Sequence, residues 1–434
     1  MKHKNYFIST YGCQMNVHES EKMSGILSDR GFINCQKIED ADIIIYNTCC
    51  VRNTAETKVF GHLGRAKKLK EINKDIKIIL CGCMSQKDGA AEDIIKKYPF
   101  IDIIIGTHNI GLIGEYLDKN AKHIEVWKEA RADREIDIKP KRERSVNAWI
   151  NIMYGCNNFC TYCIVPFVRG RERSRKMGEI LDEIKGVLDK GYNEITLLGQ
   201  NVNSYDSDGL KFIDLLDKIR QIKGKFRLKF LSSHPKDLSD DVIKIISETD
   251  NFSKTIHLPI QAGNDRILGL MNRGYSAMDY LKKVDKMRQL MPNLGLSTDI
   301  MVGFPSETEA EFLDTMSLIE KVRFDNIFSF IYNRRSGTDA DKMDDQIKRE
   351  IKIDRIQRLI KRQNVIGGEQ AIECVGKTFE VLVEFQKGTK CVGKTDNGKP
   401  VSFESDINVF NQFIDIKIVG TKNTGLIGER EIVV

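Results

Sequence analysis

The sequence predicts a multidomain α/β chain: an N-terminal domain on a parallel sheet, a partial barrel of six βα units, and a small all-β barrel at the C-terminus. Three observations carry this. Apolar runs of strand length alternate with helical stretches up to about residue 127. The same alternation resumes at residue 146 and continues in six units to about 332. After residue 371 the texture changes to short strands set off by Gly, Asn and Asp. Strand–helix alternation marks βαβ units on parallel sheets, and short strands between turn residues mark an all-β barrel.

In the first segment, placed at 1–128, the strands are YFIST, DIIIYNT, KIILCG and IDIIIGT. The charged, poorly periodic run KEARADREIDIKPKRERS then reads as a linker, 129–145. The barrel, 146–368, takes its strands from AWINIM, EITLLG, FRLKFLSS, KTIHLPI, LGLSTDIMVG and NIFSFIY. Its reactive face should lie at the carboxyl ends of those strands. A basic helix over 345–363 follows, with Ile347, Ile351, Ile356, Leu359 and Ile360 as its apolar stripe and Arg355, Arg358, Lys361 and Arg362 on the other side. In the last segment, 369–434, FEVLVEFQ, FIDIKIV and LIGERE are the expected strands, giving an OB-like barrel.

With 434 residues, 41% of them hydrophobic and 30% charged, the chain has material for two or three cores. No run approaches the roughly 18 apolar residues of a membrane span. The opening MKHKNYFISTYG lacks the apolar centre of a signal peptide, so a cytoplasmic location and no membrane partner are expected. Eleven cysteines in a reducing compartment argue for metal binding over disulfides. The net charge of +6 permits a polyanionic partner without requiring one.

The run Tyr154-Gly-Cys-Asn-Asn-Phe-Cys-Thr-Tyr-Cys163 is the most specific feature. Cys156, Cys160 and Cys163 have the spacing CxxxCxxC, and three thiolates leave one iron of a [4Fe–4S] cube open. Clusters that only carry electrons usually have four cysteine ligands, so an open iron points to chemistry there. Tyr162 before the last cysteine matches the S-adenosylmethionine (SAM)-binding pattern CxxxCxΦC. A zinc site would need a fourth ligand nearby, yet no His or Cys lies between Cys163 and His234.

Cys13, Cys49 and Cys83 are far apart in sequence, but each follows a predicted strand. Residues just past the carboxyl ends of neighbouring parallel strands converge on one crevice, so a second three-thiolate site is expected there, the alternative being three unrelated small residues at strand ends. Cys50 and Cys81 compete for these roles; Cys49 directly follows its strand, and Gly82 lets the backbone turn Cys83 toward the crevice. Cys35, Cys374 and Cys391 read as buried small hydrophobes.

YGCQMNVHESE, NTCCVR, CGCMSQ and YGCNNFCTYCIVPFVRGRERSR together resemble the radical SAM methylthiotransferases, over essentially the whole chain and in the family's order. Nearest is the type acting on N6-isopentenyladenosine of tRNA. The resemblance implies an N-terminal cluster domain, a radical SAM core and a C-terminal TRAM domain. It implies two [4Fe–4S] clusters, on Cys156, Cys160 and Cys163 and on Cys13, Cys49 and Cys83. One SAM would yield a 5′-deoxyadenosyl radical and a second would methylate sulfur carried by the auxiliary cluster. Cys50 stands where Ser is expected. Implied partners are the tRNA anticodon stem-loop and a cytosolic electron donor of flavodoxin or ferredoxin type, the enzyme acting as a monomer. Rival readings are methylthiolation of threonylcarbamoyl-adenosine or of a ribosomal-protein aspartate, and, from another class, a non-catalytic iron–sulfur RNA-binding protein. GCQMN and the RGRERSR run favour the first reading over the two other substrates, and the intact CxxxCxxC motif argues against the non-catalytic reading.

Further SAM-binding candidates are Gln200 and Asn201 after the second barrel strand, Gln261 after the fourth, and Asp299 on the fifth, where Gly303 would let a ligand approach. Asp299 could equally hold a structural amide. Arg169, Arg171, Arg173 and Arg175, with Lys176, surround a single acid, Glu172, and are expected to meet RNA phosphates. Phe379, Phe385 and Phe403 of the last segment are core or base-stacking residues. His18, His62, His108, His123, His234 and His257 show no paired metal spacing and read as structural.

Overall fold

The computed structural model describes residues 4–50, 53–118, 122–129, 138–142 and 145–431, without the side chains of 53–57. The chain divides into two compact units. One comprises 1–144, 154–157 and 164–172; the other comprises 145–153, 158–163 and 173–434.

The first unit is built on a six-stranded parallel sheet. Its strands are β1 (Asn5–Thr10), β2 (Ile33–Asn34), β3 (Ile43–Thr48), β4 (Lys77–Gly82), β5 (Ile103–Ile105) and β6 (His123–Glu125). Their order is β2-β1-β3-β4-β5-β6. Every residue of β3 is buried, as expected for a central strand covered on both faces. Ile44, Tyr46, Ile78 and Leu80 pack against Val59 and Leu63 of the helix Asn53–Ile72. On the other face Ile43, Ile45 and Ile79 meet Met23 and Leu27 of the helix Gln14–Asp29. The strand order reverses at β1/β3, which is where open α/β sheets form their crevice. Of the linker expected at 129–145, residues 130–137 and 143–144 lie outside the described residues. Part of the rest packs along Gln14–Asp29, where Lys141 donates its N–H to Glu21 O at 2.9 Å.

The second unit contains the six expected barrel strands, all in parallel pairings. Asn147–Asn151, Glu194–Leu198 and Arg227–Phe230 form one sheet; Thr255–His257, Gly295–Val302 and Asn326–Ile331 form the next, with Leu228 bridging Phe252 between them. The outward side chains Ile195, Leu197, Leu228, Ile256 and Ile300 join Ile180, Leu216, Ile243 and Ile319 of the surrounding helices in one core. The inward face is polar: Thr196 donates to Asn147 Oδ1 at 3.0 Å, and Lys229 pairs with Glu194 at 2.5 Å.

The basic helix is longer than expected, Arg349–Ile372, and its faces differ from the predicted ones. Ile351 and Ile360 are exposed, whereas Leu359, Gln363 and Ile366 are buried. Arg355 forms a buried ion pair with Glu307 at 2.7 Å; Arg358 pairs with Glu309 and Arg362 with Glu320. These cations are therefore neutralised by the preceding helix, Glu309–Val322, and its approach. The C-terminal residues close a five-stranded barrel. Thr378–Lys387, Phe413–Lys422 and Gly425–Arg430 match expected strands; Lys390–Thr395 and Pro400–Glu404 are additions. Phe403 is in the core, with Phe379 packed against it, while Phe385 is exposed.

This small barrel covers the amino-terminal ends of the larger one. Ser253 and Thr255 donate to Asp396 O, Arg227 donates to Lys394 O at 2.9 Å, and Lys399 pairs with Asp325. The carboxyl ends of the strands are left to the site. Among the described residues no helix is long and apolar enough to cross a membrane.

Candidate functional site

In the first unit the crevice at the ends of β1, β3 and β4 gathers Cys13, Cys49 and Cys83. Two glycines make this possible. Gly82 has φ +95°, and a Cβ there would lie 2.4 Å from Thr48 O of the neighbouring strand. Gly12 has φ +124°, and a Cβ there would lie 2.5 Å from Cys49 Cβ and 3.0 Å from its Sγ. Asn16, fully buried, ties the loops together: its amide donates to Tyr11 O at 3.0 Å and Thr48 O at 2.9 Å, and its Oδ1 accepts from the Cys13 thiol at 3.6 Å.

Cys50 is buried beside Cys83, with Ile164 and Val168 around them. A hydrogen bond from Cys50 helps pull the Cys83 thiol down to about 7, with Arg169 adding to the effect against the cost of burial. Burial raises the Cys13 thiol, and Arg169 opposes that rise. Cys81 points the other way, its Sγ 3.8 Å from Met23 Sδ in the opposite core. Among the described residues no three His, Cys, Asp or Glu side chains converge on a single ion. A lone zinc holds its thiolates at about 2.3 Å; a cube takes each thiolate on a different iron, so its ligands stand further apart.

Arg169 is not a surface phosphate ligand. It is 4% exposed, forms an ion pair with Glu19, and donates from Nη2 to Asn16 Oδ1 at 2.8 Å. Arg175 is also engaged internally, donating to Asn151 O at 2.8 Å and to Glu183 at 2.6 Å. Arg171 is exposed and Arg173 half-buried, so only part of the expected basic run faces outward. A charge run alone does not reveal which cations fold inward.

The division between the units falls within the CxxxCxxC loop: Cys156 groups with the first unit, Cys160 and Cys163 with the second. Cys156 donates its N–H to Gly170 O at 3.2 Å. In the second unit Cys163 N–H bonds Cys160 O at 2.9 Å. Arg273, 5% exposed, brings Nη1 to 3.3 Å from Cys160 Sγ and also donates to Tyr162 OH at 3.4 Å and Pro259 O at 2.8 Å. Tyr162 packs on the cluster containing Ile267, Met271, Phe304 and Tyr332.

The barrel's carboxyl ends carry buried polar atoms that find no partner among the described residues: both side-chain atoms of Asn151, Asn201 Oδ1, Ser233 Oγ and His234 Nε2. Buried polar groups are normally hydrogen-bonded, so these call for a polar ligand. Asn201 is anchored by Asp237 at 2.7 Å; Gln200 is half-buried beside it. Gln261, buried, holds φ +76° and exchanges backbone hydrogen bonds with Asp299 and Met301 at 2.9 Å. Ser232 has φ +67°, a second strained position at a strand end. Asp299 is partly exposed on the inner face, 3.5 Å from His257 Nε2. Burial and the nearby Arg273 and Lys236 hold His234 down at about 2, so its imidazole stays neutral. These groups fit a ligand with amino, carboxylate and hydroxyl functions, as SAM has. The sequence reading missed Arg273, Ser233, His234 and Asn151; the SSHP turn at 232–235, directly after a predicted strand, was the available signal.

Residues 150–319 match the model of the Radical SAM superfamily, and 5–106 match uncharacterized protein family UPF0004. The fold has solved counterparts at low identity. A radical S-adenosylmethionine methyltransferase, TsrM, from Kitasatospora setae aligns with TM-score 0.60 at 11% identity, covering 78% of this chain and 74% of that one. The cobalamin-dependent radical enzyme OxsB aligns at 0.52 and 12%, covering 84% of this chain and 58% of that one. The fold and site thus define a radical SAM enzyme, a class that holds a [4Fe–4S] cluster and SAM. Among curated relatives, a tRNA-2-methylthio-N(6)-dimethylallyladenosine synthase from Clostridium perfringens is 49% identical, covering 99% of this chain and 98% of its own. One from Acetivibrio thermocellus is 46% identical, covering 98% and 91%. The chain belongs to this family of tRNA methylthio synthases.

Proposed function

We propose that this chain adds a methylthio group to carbon 2 of N6-isopentenyladenosine (dimethylallyladenosine) at position 37 of tRNA. The observation that carries the reading is a second cysteine set: Cys13, Cys49 and Cys83 gather at one crevice in a chain that also has CxxxCxxC. An aromatic C–H resists acid–base chemistry, so cofactors must supply the reactive species while the protein positions them. Cys156, Cys160 and Cys163 would hold the radical cluster and Cys13, Cys49 and Cys83 the auxiliary one; with SAM bound, the first would supply radical chemistry and the second sulfur for transfer.

The chain's own residues do the holding. Tyr162, Gln200, Asn201, Gln261 and Asp299 line the SAM site, with Ser233 and His234 added by their unpartnered buried atoms. Arg273 places a cation beside Cys160. Arg171 and Arg173 meet the RNA backbone. The C-terminal barrel acts as a TRAM-type, OB-like domain that grips the anticodon stem-loop, starting after the helix that ends at Ile372. The enzyme works as a cytoplasmic monomer and takes electrons from a flavodoxin- or ferredoxin-type donor.

The test offers reconstituted enzyme three substrates: isopentenylated tRNA, threonylcarbamoylated tRNA and a ribosomal protein. Methylthiolation of the first alone is expected. Modification of either of the others with the first untouched would overturn the substrate assignment.

A further inference from the structure

Arg169 lies six positions after Cys163 in the chain, yet its side chain belongs to the auxiliary crevice of the first unit. Three thiolates on an iron–sulfur cube bring negative charge into a place where Cys49, Cys50 and Cys83 are buried. Buried charge is costly unless it is paired and hydrogen-bonded. Arg169 is a cation buried there, and it is fixed with care. Glu19 accepts from both Nη atoms, and Asn16 Oδ1 accepts from Nη2 while also taking the Cys13 thiol. Thr107 donates to Val168 O at 2.7 Å, fastening the short helix Val165–Arg169 into the unit. Val168 and Ile164 of the same segment pack on Cys50 and Cys83.

We propose that Arg169 is the charge partner of the cluster on Cys13, Cys49 and Cys83, a positioning residue that sets its reduction potential and joins the segment after Cys163 to that site. This rests on the auxiliary-cluster reading above. Net charge and hydrogen bonds near the sulfurs are among the terms that set such potentials. Glu19 accepts from the guanidinium but leaves Nη2 on Asn16 Oδ1, beside the Cys13 thiol, so it moderates the cation without removing it from the crevice.

The experiment isolates the auxiliary cluster in Cys156→Ala/Cys160→Ala/Cys163→Ala protein, reconstituted anaerobically and titrated potentiometrically with EPR detection. Arg169→Gln should lower the potential, because a reduced cluster loses its nearby cation. Arg169→Lys should restore part of the shift. Glu19→Gln keeps the cation and removes its counter-charge, so it should raise the potential. Opposite shifts in Arg169→Gln and Glu19→Gln support the proposal. If Arg169→Gln holds no cluster, the upward shift in Glu19→Gln with retained iron decides in its favour. Unmoved potentials, or shifts of the same sign, would overturn it. A parent protein without iron would instead sink the auxiliary-cluster reading itself.

Discussion

Replacing Gly12 by alanine tests how tightly the auxiliary crevice is built. The new methyl carbon would stand 2.5 Å from Cys49 Cβ, 3.0 Å from Cys49 Sγ and 3.3 Å from Asn16 Nδ2. Carbon atoms rest at about 3.5–4.0 Å, so Cys49 must retreat by about 1 Å. Gly12 also holds φ +124°, where a side chain adds strain of about 1–3 kcal/mol. At about 1.4 kcal/mol per factor of ten, strain alone lowers the competent crevice roughly 5- to 150-fold against displaced forms. Iron analysis should then fall from about eight to about four per chain, one four-iron cluster remaining. Release of 5′-deoxyadenosine should persist, because the new methyl collides with Cys49 and Asn16 and with none of Cys156, Cys160 and Cys163. Methylthio-nucleoside measured by mass spectrometry should drop by about 10²-fold, the usual effect of a 1 Å misplacement. Gly89→Ala is the control: φ is +70°, but no atom lies within 4 Å of its Cβ, so it carries strain without a collision at a cysteine. A Gly12→Ala enzyme with full iron and normal product would refute the reasoning, as would an equal loss in Gly89→Ala.

Cys49→Ala should lose the auxiliary iron, whereas Cys50→Ser should keep it, since a hydroxyl can replace the hydrogen bond to Cys83; the reverse pattern in iron analysis would make Cys50 the ligand. Replacing Arg171 and Arg173 by alanine should weaken tRNA binding and flatten the log–log salt slope by about 1.4, at about 0.7 for each phosphate no longer neutralised. SAM cleavage should continue, and an unchanged slope would remove these residues from the RNA interface. Glu311, held at about 2 chiefly by its hydrogen bond from Arg266, stabilises the fold fully above its ordinary value of 4.5 and loses that contribution as the pH falls from there toward 2. Urea midpoints should place Glu311→Gln about 1 kcal/mol below the parent at pH 7, with the gap narrowing below about pH 4.5; a gap that stays constant would show that the Arg266 pair does not matter.

The strands and cysteine spacings were readable in the sequence because they rest on short-range rules. Period, length and turn residues located all six barrel strands, and strand ends located Cys13, Cys49 and Cys83. What escaped was the destination of long, charged side chains. The RGRERSR run looked like one basic surface, yet Arg169 and Arg175 turn inward to Glu19 and Glu183. The basic helix looked two-faced, yet its arginines meet acids 42 to 49 residues earlier in the chain. All of these pairings but Arg175–Glu183 depend on tertiary neighbours that no local window contains. The strands Lys390–Thr395 and Pro400–Glu404 were missed for a different reason: KCVGKT and PVSFE are short, and Gly and Pro weaken their pattern.

The position of the C-terminal barrel limits what it can contribute to recognition. It covers the amino-terminal ends of the larger barrel, through Asp396, Lys394 and Lys399, while the unpartnered polar atoms of Asn201, Ser233 and His234 lie at the carboxyl ends. The strand Gly295–Val302 has eight residues, which at about 3.3 Å each separates the two ends by roughly 26 Å. A nucleotide whose base enters the carboxyl-end site therefore cannot place that base on the small barrel. Contacts there must fall on the stem or on phosphates well removed from the target. On the proposed function base selection would be left to the inner face of the large barrel, where Phe328 stands beside His257. On the proposed function the small barrel would supply grip rather than identity, so its substitution should raise the tRNA concentration needed for turnover without changing which adenosine is modified.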